Sequence, residues 1–331
     1  MTDQYSARTI LRSPDYYPVR IDLQKGTISF LRMSRGAYRE SVFLDARTKH
    51  LGPDAFEIRL NDLQLAATAR ARPTPVHFIF NTSFCCSTLL ARHFEAQPEC
   101  FVLKEPVLLA QLAVAPERGS AVWNEALDLS FRLLARTYAP GDIAVIKPNE
   151  WCNVLAPLLL RKPGTTATLL SAPVRDFLLT VLRNEERRGW IRKRIGSALE
   201  DGRQHEALAG AGTHAGPIND ARAGAYIWAL NRCRFRRLMD DPVAAPRVAT
   251  MDGNALARAP DRVLPEHFGL CGVRGSSLDR ASNAYSKGPQ RTFGASDRES
   301  EIAELDRSLG PEVDDALAWA VSAGLGEIIA I

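Results

Sequence analysis

The sequence predicts an α/β fold in which helices flank a central, mostly parallel sheet. Two patterns support this class. Short apolar runs alternate with amphipathic helical stretches over most of the chain, an order typical of parallel strands joined by helical crossovers. In addition, two apolar runs end just before a proline, at Glu105-Pro106 and Lys147-Pro148, where a paired strand has to stop.

Composition and charge narrow the range of ligands. The 331 residues are 46% hydrophobic and carry a formal net charge of +4. A chain of this length can bury a sizeable core. The mild basic excess suits an anionic small ligand, but it lacks the dense basic face of a nucleic-acid-binding protein. We therefore expect small-molecule partners and no nucleic acid, and the composition leaves the oligomeric state open.

The cysteines and the N-terminal segment indicate a cytoplasmic protein. No two of the six cysteines form a CxxC pair, so their spacing predicts no metal site. The size and composition of the chain argue against a disulfide framework. The N-terminal segment has no apolar stretch behind its charges, and no apolar run approaches the roughly 20 residues that span a bilayer. We expect reduced thiols and no membrane contact.

Residues 1–70 are expected to form a small β/α preface packed on a main domain of residues 71–331. The preface elements are a hairpin over Tyr17–Arg32 with Lys25-Gly26 at its turn, a short strand or helix start over Ser41–Ala46, and a helix late in Phe56–Ala69. Residues 70–75, rich in Pro and Arg, mark the entry into the main sheet.

The main domain shows the alternation most clearly. Apolar runs predict strands at Val76–Asn81, Phe101–Lys104, Asp142–Lys147, Thr166–Leu170 and Arg247–Thr250. Helical patterns cover Ser87–Ala96, Val107–Ala113, Ser120–Tyr138, Val154–Leu160, Phe177–Arg194, Ala223–Met239 and much of Ser300–Gly324. Residues 198–222 have few large apolar groups and suggest a lid-like insertion, while the polar stretch 272–300 suggests a surface loop.

The segment after the first of these strands, Asn81–Thr88 (NTSFCCST), predicts an anion site. Ser87 and Thr88 have the side chains of N-cap and first-turn residues. Free amides at a helix N-terminus bind phosphate or sulfate, and small neighbours let the backbone approach the anion. The motif is not the GxxxxGK[ST] loop of nucleoside triphosphatases, because it contains neither Gly nor Lys. An ordinary capped strand–turn–helix is the alternative interpretation.

The run TSFCCSTLLAR resembles the 5′-phosphosulfate loop of the sulfotransferases, and four further segments occur in the order of that family. They are Leu103–Pro106 with its Glu-Pro pair, the strand–turn–helix of residues 166–183, the late segment Arg247–Leu270, and the basic loop Tyr285–Gly288. The resemblance implies a divergent member with a three-layer P-loop-type fold. It also implies 3′-phosphoadenosine 5′-phosphosulfate as donor, a hydroxyl or amine of a small molecule as acceptor, and no metal.

The same resemblance implies which residues bind the donor. They are the loop residues Thr82, Ser83, Phe84, Cys85, Cys86, Ser87 and Thr88, together with Arg92, Arg175, Thr180, Tyr285 and Lys287. Two positions depart from the family. Ser83 or Phe84 stands where the loop usually carries Lys or Arg, and Ser171 ends a strand that is usually followed by an Arg for the 3′-phosphate. Arg175 and Thr180 are the nearest Arg and hydroxyl.

For catalysis the sequence offers one carboxylate and two lysines at the ends of predicted strands. Glu105 is the candidate general base, with a salt-bridged structural Glu as the alternative. Lys147 and Lys104 are candidates for stabilising negative charge at the transferred group. Because two family cations are missing, a catalytically inactive ligand-binding protein is a second hypothesis. A third, an atypical P-loop kinase, is disfavoured by the lack of a Walker Lys and of an evident Mg²⁺ ligand.

Overall fold

The computed structural model describes residues 6–45, 55–67, 74–210, 218–274 and 295–330. Its strands are β1 (Tyr16–Asp22), β2 (Thr27–Arg32), β3 (Phe56–Arg59), β4 (Val76–Asn81), β5 (Cys100–Lys104), β6 (Ile143–Lys147), β7 (Thr165–Ser171) and β8 (Val248–Asp252). Its α-helices are α1 (Ala7–Arg12), α2 (Arg35–Glu40), α3 (Leu60–Ala66), α4 (Ser87–Glu95), α5 (Val107–Val114), α6 (Ala121–Leu134), α7 (Ala156–Leu160), α8 (Val174–Leu182), α9 (Glu185–Gly202), α10 (Glu206–Ala209), α11 (Asp220–Asp240), α12 (Gly253–Arg258), α13 (Pro260–Cys271), α14 (Ala295–Ala320) and α15 (Gly326–Ile329). A 3-10 helix covers Glu150–Leu155 before α7.

The N-terminal part is a three-stranded antiparallel sheet in the order β1-β2-β3. The predicted hairpin is confirmed, and Gly26 in its turn takes a positive φ of 65° that favours glycine. The first four residues of Phe56–Ala69 pair with β2 as a strand before the helix begins at Leu60. The expected element at Ser41–Ala46 is wrong for the described residues, since 41–45 form neither strand nor helix.

A buried guanidinium connects the N-terminal segment to the end of α6. Arg136, just after α6, donates hydrogen bonds to the carbonyls of Ile10, Ser13 (2.8 Å) and Tyr16 (2.7 Å). The Arg136 guanidinium, itself buried, thereby finds backbone acceptors, as buried polar groups require. The apolar residues of the N-terminal sheet also share one core with α5 and α6.

The central sheet has the strand order β5-β6-β4-β7-β8, and all four pairings are parallel. Every residue of β4, β5 and β6 is buried. Helices α5 and α6 cover the face that carries Phe78, Phe80 and Leu103, whereas α4 and α13 cover the face that carries Ile79 and Val102. The predicted α/β class, with a parallel sheet between helical layers, is confirmed.

Helices α8, α9, α11 and α14 build a further apolar cluster beside the sheet. The single helix expected over Phe177–Arg194 is wrong, because α8 ends at Leu182 and α9 starts at Glu185. Asn184 between them has extended backbone, and its side chain accepts from the Arg187 amide at 3.0 Å as an N-cap. The break lets α9 turn across α11.

The two expected surface segments are only partly described. In 198–222, α9 continues to Gly202, α10 follows, and Ala198, Leu208 and Ala221 are buried. Residues 211–217 lie outside the described ranges, so the lid remains a prediction. In 272–300, helix α14 already begins at Ala295, and residues 275–294 are not among those described.

Candidate functional site

Three residues with left-handed backbone shape the loop between β4 and α4. Ser83, Phe84 and Cys86 have φ values of 64°, 53° and 65°, which non-glycine residues adopt at a cost of about 1–3 kcal/mol each. The loop, residues Thr82–Cys86, is here called the cradle. Strain of this kind is retained where the surrounding structure enforces it and is common at functional sites.

The helix behind the cradle presents its amides to this loop. Cys86 is the N-cap, so the expectation that Ser87 fills this position is wrong: Ser87 is the first helical residue. The first backbone bond of α4 runs from the Leu90 amide to the Cys86 carbonyl at 3.1 Å. Among the described residues, the amides from Phe84 to Leu89 donate no backbone hydrogen bond. Free amides at the positive end of a helix dipole form an anion site.

Neighbouring strands and helices hold the cradle in place. The Asn81 side-chain oxygen accepts from the Ser83 amide at 3.0 Å, and the Thr82 amide donates to the Leu170 carbonyl of β7 at 3.1 Å. On the other side, α12 touches the loop through Gly253, where a Cβ would lie 2.3 Å from the Cys85 carbonyl oxygen. Only glycine fits at this contact without displacing backbone.

A chain of three buried asparagines connects the cradle to α11. The Asn153 amide nitrogen donates to the Asn81 carbonyl and to the Asn231 side chain, both at 2.8 Å. Asn231 in turn donates to the Ile227 carbonyl at 3.1 Å. Asn153 is buried, and its side chain supports the cradle.

Phe84, one of the two positions at which the sequence comparison expects a basic residue, anchors the cradle. Its ring packs at 6.1 Å from Phe177 and 5.5 Å from Trp190, measured between centroids. The Arg187 guanidinium lies 4.8 Å from the ring centroid. An apolar anchor with a cation over its face replaces a charge that would point at a ligand.

At the ends of β5 and β6, Glu105 and Lys147 form an ion pair. Glu105 has a left-handed backbone with φ 56°, and its amide donates to the Lys147 carbonyl at 2.6 Å. The Lys147 side chain is 3% exposed and that of Glu105 14% exposed, so the carboxylate is the more accessible partner. The Lys147 ammonium also lies 5.4 Å from the centroid of the Phe43 ring.

The charge of Lys147 acts on the Cys85 thiol in the cradle. Burial raises the pKa of the Cys85 thiol to about 11, and the positive charge of Lys147 acts in the opposite direction. Because β6 lies next to β4 in the sheet, its last residue belongs to the same rim as the cradle. The site therefore combines free amides, one ammonium and one carboxylate.

Lys104 is engaged elsewhere. Its ammonium forms an ion pair with Glu95 of α4 at 2.7 Å and donates to the Arg39 carbonyl at 3.2 Å. Burial lowers the pKa of Lys104, and the nearby charge of Arg92 acts in the same direction, while Glu95 opposes both. The structure thus brings Arg92 near Lys104, and it gives Lys104 the contacts of a structural ion pair between β5 and α4.

The residues expected to hold a second phosphate do not converge on the cradle. Arg175 is bound by Asp306 at 2.7 Å and Asp314 at 2.6 Å, both on α14, and these carboxylates raise its pKa. Thr180 is buried, and its carbonyl accepts from Arg187 at 2.7 Å. Tyr285 and Lys287 lie outside the described residues.

Two arginines that the motifs did not indicate stand close to the rim. Arg232 of α11 donates to the Ser171 hydroxyl at the end of β7 at 3.0 Å. Arg298 of α14 donates to the Asn254 side chain at 2.8 Å, and its charge acts to lower the pKa of the Cys86 thiol, which burial raises. Arg298 also lines a cavity of about 220 Å³ between α8, α12 and α14. In the sequence, Arg232 could have been noticed because Asn231 and Arg232 are polar residues within the apolar face of α11.

Two classes of site are not found in the described part of the chain. No three His, Cys, Asp or Glu side chains there come together as metal ligands. No helix there is both long and apolar enough to cross a bilayer.

Comparison with known proteins gives two solved structures similar to this chain. A sulfotransferase from Alicyclobacillus acidocaldarius is 17% identical, with a TM-score of 0.39 over 76% of this chain and 94% of its own. The sulfotransferase domain of the curacin biosynthetic pathway is 13% identical, with a TM-score of 0.41 over 72% of this chain and 99% of its own. No protein-family model and no curated protein sequence matches the chain.

Proposed function

We propose that the protein transfers a sulfuryl group from 3′-phosphoadenosine 5′-phosphosulfate to a hydroxyl or amine of a small molecule. The observation that carries this proposal is the position of the Glu105–Lys147 ion pair on the same rim as the strained cradle. The cradle supplies amides for an anion, the pair supplies a base and a cation, and the loop sequence resembles the phosphosulfate loop of the sulfotransferases.

In this reaction the acceptor oxygen or nitrogen forms a bond to sulfur. The bond between sulfur and the 5′-phosphate oxygen breaks, and adenosine 3′,5′-bisphosphate leaves. Glu105 takes the proton of the acceptor, for which its carboxylate is the accessible member of the pair. The cradle amides and Lys147 stabilise the negative charge on the transferred group and on the leaving phosphate oxygen.

The different roles of Lys147 and Lys104 follow from the carboxylates with which they are paired. Lys147 is paired with the carboxylate that faces the acceptor, so accepting a proton at Glu105 frees the ammonium for the developing negative charge. Lys104 keeps its partner Glu95 throughout, because neither group takes part in the transfer. We expect the reaction in the cytoplasm, where the six thiols, none of them disulfide-bonded, stay reduced.

The matched variants Glu105→Gln and Glu95→Gln test the proposal. Each removes the carboxylate of one ion pair, and the two side chains are similarly exposed, at 14% and 15%. Release of adenosine 3′,5′-bisphosphate from the donor is measured with a panel of phenols, alcohols and amines. Glu105→Gln should lower turnover about 100-fold or more, as loss of a general base does, whereas Glu95→Gln should keep most of it.

Binding is measured on the same proteins by thermal unfolding. Adenosine 3′,5′-bisphosphate at a hundred times its dissociation constant should stabilise the protein and both variants by about 2.7 kcal/mol. A missing shift at millimolar nucleotide would overturn the proposal. Binding without turnover on any acceptor would instead favour the ligand-binding protein, and a shift seen only with ATP and Mg²⁺ would favour the kinase.

A further inference from the structure

The guanidinium of Arg232 has an unusual environment for a half-buried cation. Its Nη1 donates to the Ser171 hydroxyl at 3.0 Å, and the group lies 5.6 Å from the centroid of the Trp228 ring. Its Nε is buried and has no hydrogen-bond partner in the described part of the chain. The known partners of Arg232 are therefore a neutral hydroxyl and an aromatic face.

Within the described residues, no carboxylate compensates the charge of Arg232. Burial alone lowers the pKa of Arg232, and none of the described acidic groups opposes that effect. Arg175 shows the contrasting case, since Asp306 and Asp314 neutralise it from two sides. A half-buried cation without a counter-ion is costly, and it persists where a ligand supplies the negative charge.

The position of Arg232 along α11 places it beside the cradle. Trp228, one turn earlier, donates its indole N–H to the Ala172 carbonyl at 3.0 Å, so two successive turns of the helix dock on the end of β7. Asn231, the residue before Arg232, connects through Asn153 to Asn81, the last residue of β4, directly before the cradle. Helix α11 thus spans the carboxyl ends of both β7 and β4, which are neighbours in the sheet.

Ser171 itself adds a hydroxyl at the same place. It is the last residue of β7, one position after Leu170, whose carbonyl accepts from the Thr82 amide of the cradle at 3.1 Å. Adjacent strands lie about 4.8 Å apart. An anion held by Arg232 and Ser171 is therefore close enough to one in the cradle for both to belong to one nucleotide.

We infer that Arg232, together with the Ser171 hydroxyl, holds a second phosphate of the donor nucleotide, in the role that the sequence assigns to Arg175. The inference rests on the proposed function and deepens it. The ligand class is a nucleotide with two separate phosphates, one in the cradle and one, on the ribose, at the end of β7. The cation comes from α11 and not from the turn that follows the strand.

A comparison of two nucleotides isolates this contact. Dissociation constants for adenosine 3′,5′-bisphosphate and adenosine 5′-monophosphate are measured by calorimetry on the unmodified protein and on Arg232→Gln and Arg175→Gln. The unmodified protein should bind the bisphosphate about ten- to a hundredfold more tightly, the range of one charge-assisted contact. Arg232→Gln should remove that ratio and leave the monophosphate affinity nearly unchanged, while Arg175→Gln should keep the ratio.

The outcomes distinguish the role of Arg232 from the proposed function. An unchanged ratio in Arg232→Gln, or a ratio lost in Arg175→Gln, would overturn the assignment to Arg232 and leave the proposed function in place. If the unmodified protein binds neither nucleotide, the proposed function and the assignment fail together. Should Arg232→Gln not fold, Arg232→Lys keeps a charge without the planar fork and should lower the ratio by a smaller factor.

Discussion

The two ends of strand β4 treat their polar groups in opposite ways. At the amino end, His77 uses both ring nitrogens, with Thr166 at 2.9 Å and Thr168 at 3.0 Å, and Thr168 continues to His267 at 2.8 Å. At the carboxyl end, three residues of the cradle have left-handed backbone. In the described part of the chain, the amides from Phe84 to Leu89 have no backbone acceptor. A satisfied network stabilises the fold, whereas open donors under strain are kept for a ligand.

If this comparison holds, changes at the carboxyl end should impair turnover or nucleotide binding, whatever they do to stability, and changes at the amino end should affect stability alone. The three predictions that follow are ordered from the largest expected effect to the smallest. Each pairs the change with a control from the same molecule.

Lys147→Met should give the largest loss, about 100- to 1000-fold in turnover. The substitution removes an ammonium that stabilises negative charge on the transferred group. Lys104→Met is the matched control, since both lysines are buried and paired with a carboxylate of similar exposure. Both variants should lose comparable stability in urea unfolding. Equal losses of turnover in the two variants would contradict the functional difference between the lysines.

Gly253→Ala should destabilise the protein by about 3 kcal/mol, because its Cβ would lie 2.3 Å from the Cys85 carbonyl oxygen. Since that carbonyl belongs to the cradle, nucleotide affinity should fall as well. Gly196→Ala in α9 is the control, as no atom lies within 4 Å of its Cβ, and it should stabilise by about 0.5–1 kcal/mol. An unchanged nucleotide affinity in Gly253→Ala would show that the cradle is not rigid.

A fall from pH 7 to pH 5 should cost about 2 kcal/mol of unfolding free energy through His77 alone. Burial lowers the pKa of His77 from 6.5 to about 3, and the charge of His267 acts in the same direction. The unfolded chain therefore binds one more proton than the folded chain between pH 3 and 6.5. The contribution of His77 to the unfolding free energy is fully present above pH 6.5 and decreases as the pH falls through this window.

The control for the pH effect is His77→Gln, measured by urea unfolding at both pH values. This variant should lose stability at pH 7 but show a smaller difference between pH 7 and pH 5, with nucleotide affinity retained. The pKa of His267 is also lowered, chiefly by burial, so part of the pH dependence should remain. The same pH dependence in His77→Gln and the unmodified protein would assign the effect to other groups.

The sheet could be predicted because its signal is local. Five apolar runs and the helices between them identify β4 to β8, and the buried strands match those runs within about two residues. The break between α8 and α9 escaped prediction because it depends on a single N-cap, the Asn184 side chain, within a polar run over residues 183–188 that is equally typical of the exposed part of one continuous helix. The strand at Phe56–Arg59 depends on pairing with β2, which no local pattern records.

In the candidate site, too, some residues could be predicted from local sequence and others depend on distant contacts. Thr82–Thr88 and Glu105 follow strand ends directly, so the motif itself places them. The partners of Lys104 and Arg175 lie on α4 and α14, and only the tertiary structure shows that carboxylates already neutralise both. Arg232 is more than 60 residues from Ser171 in sequence. Whether a cation is compensated depends on such distant contacts and cannot be deduced from spacing.

The hydrogen bonds of Arg136 have a consequence for the synthesis of the chain. The Tyr16 carbonyl and its Arg136 donor are 120 residues apart, so the N-terminal segment leaves the ribosome long before its partner. At about 5–20 residues per second, the delay is roughly ten seconds. Until then the carbonyls of Ile10, Ser13 and Tyr16 lack the guanidinium that donates to them in the fold. The segment from Ile10 to Tyr16 can therefore complete these hydrogen bonds only after the chain has been synthesised past α6.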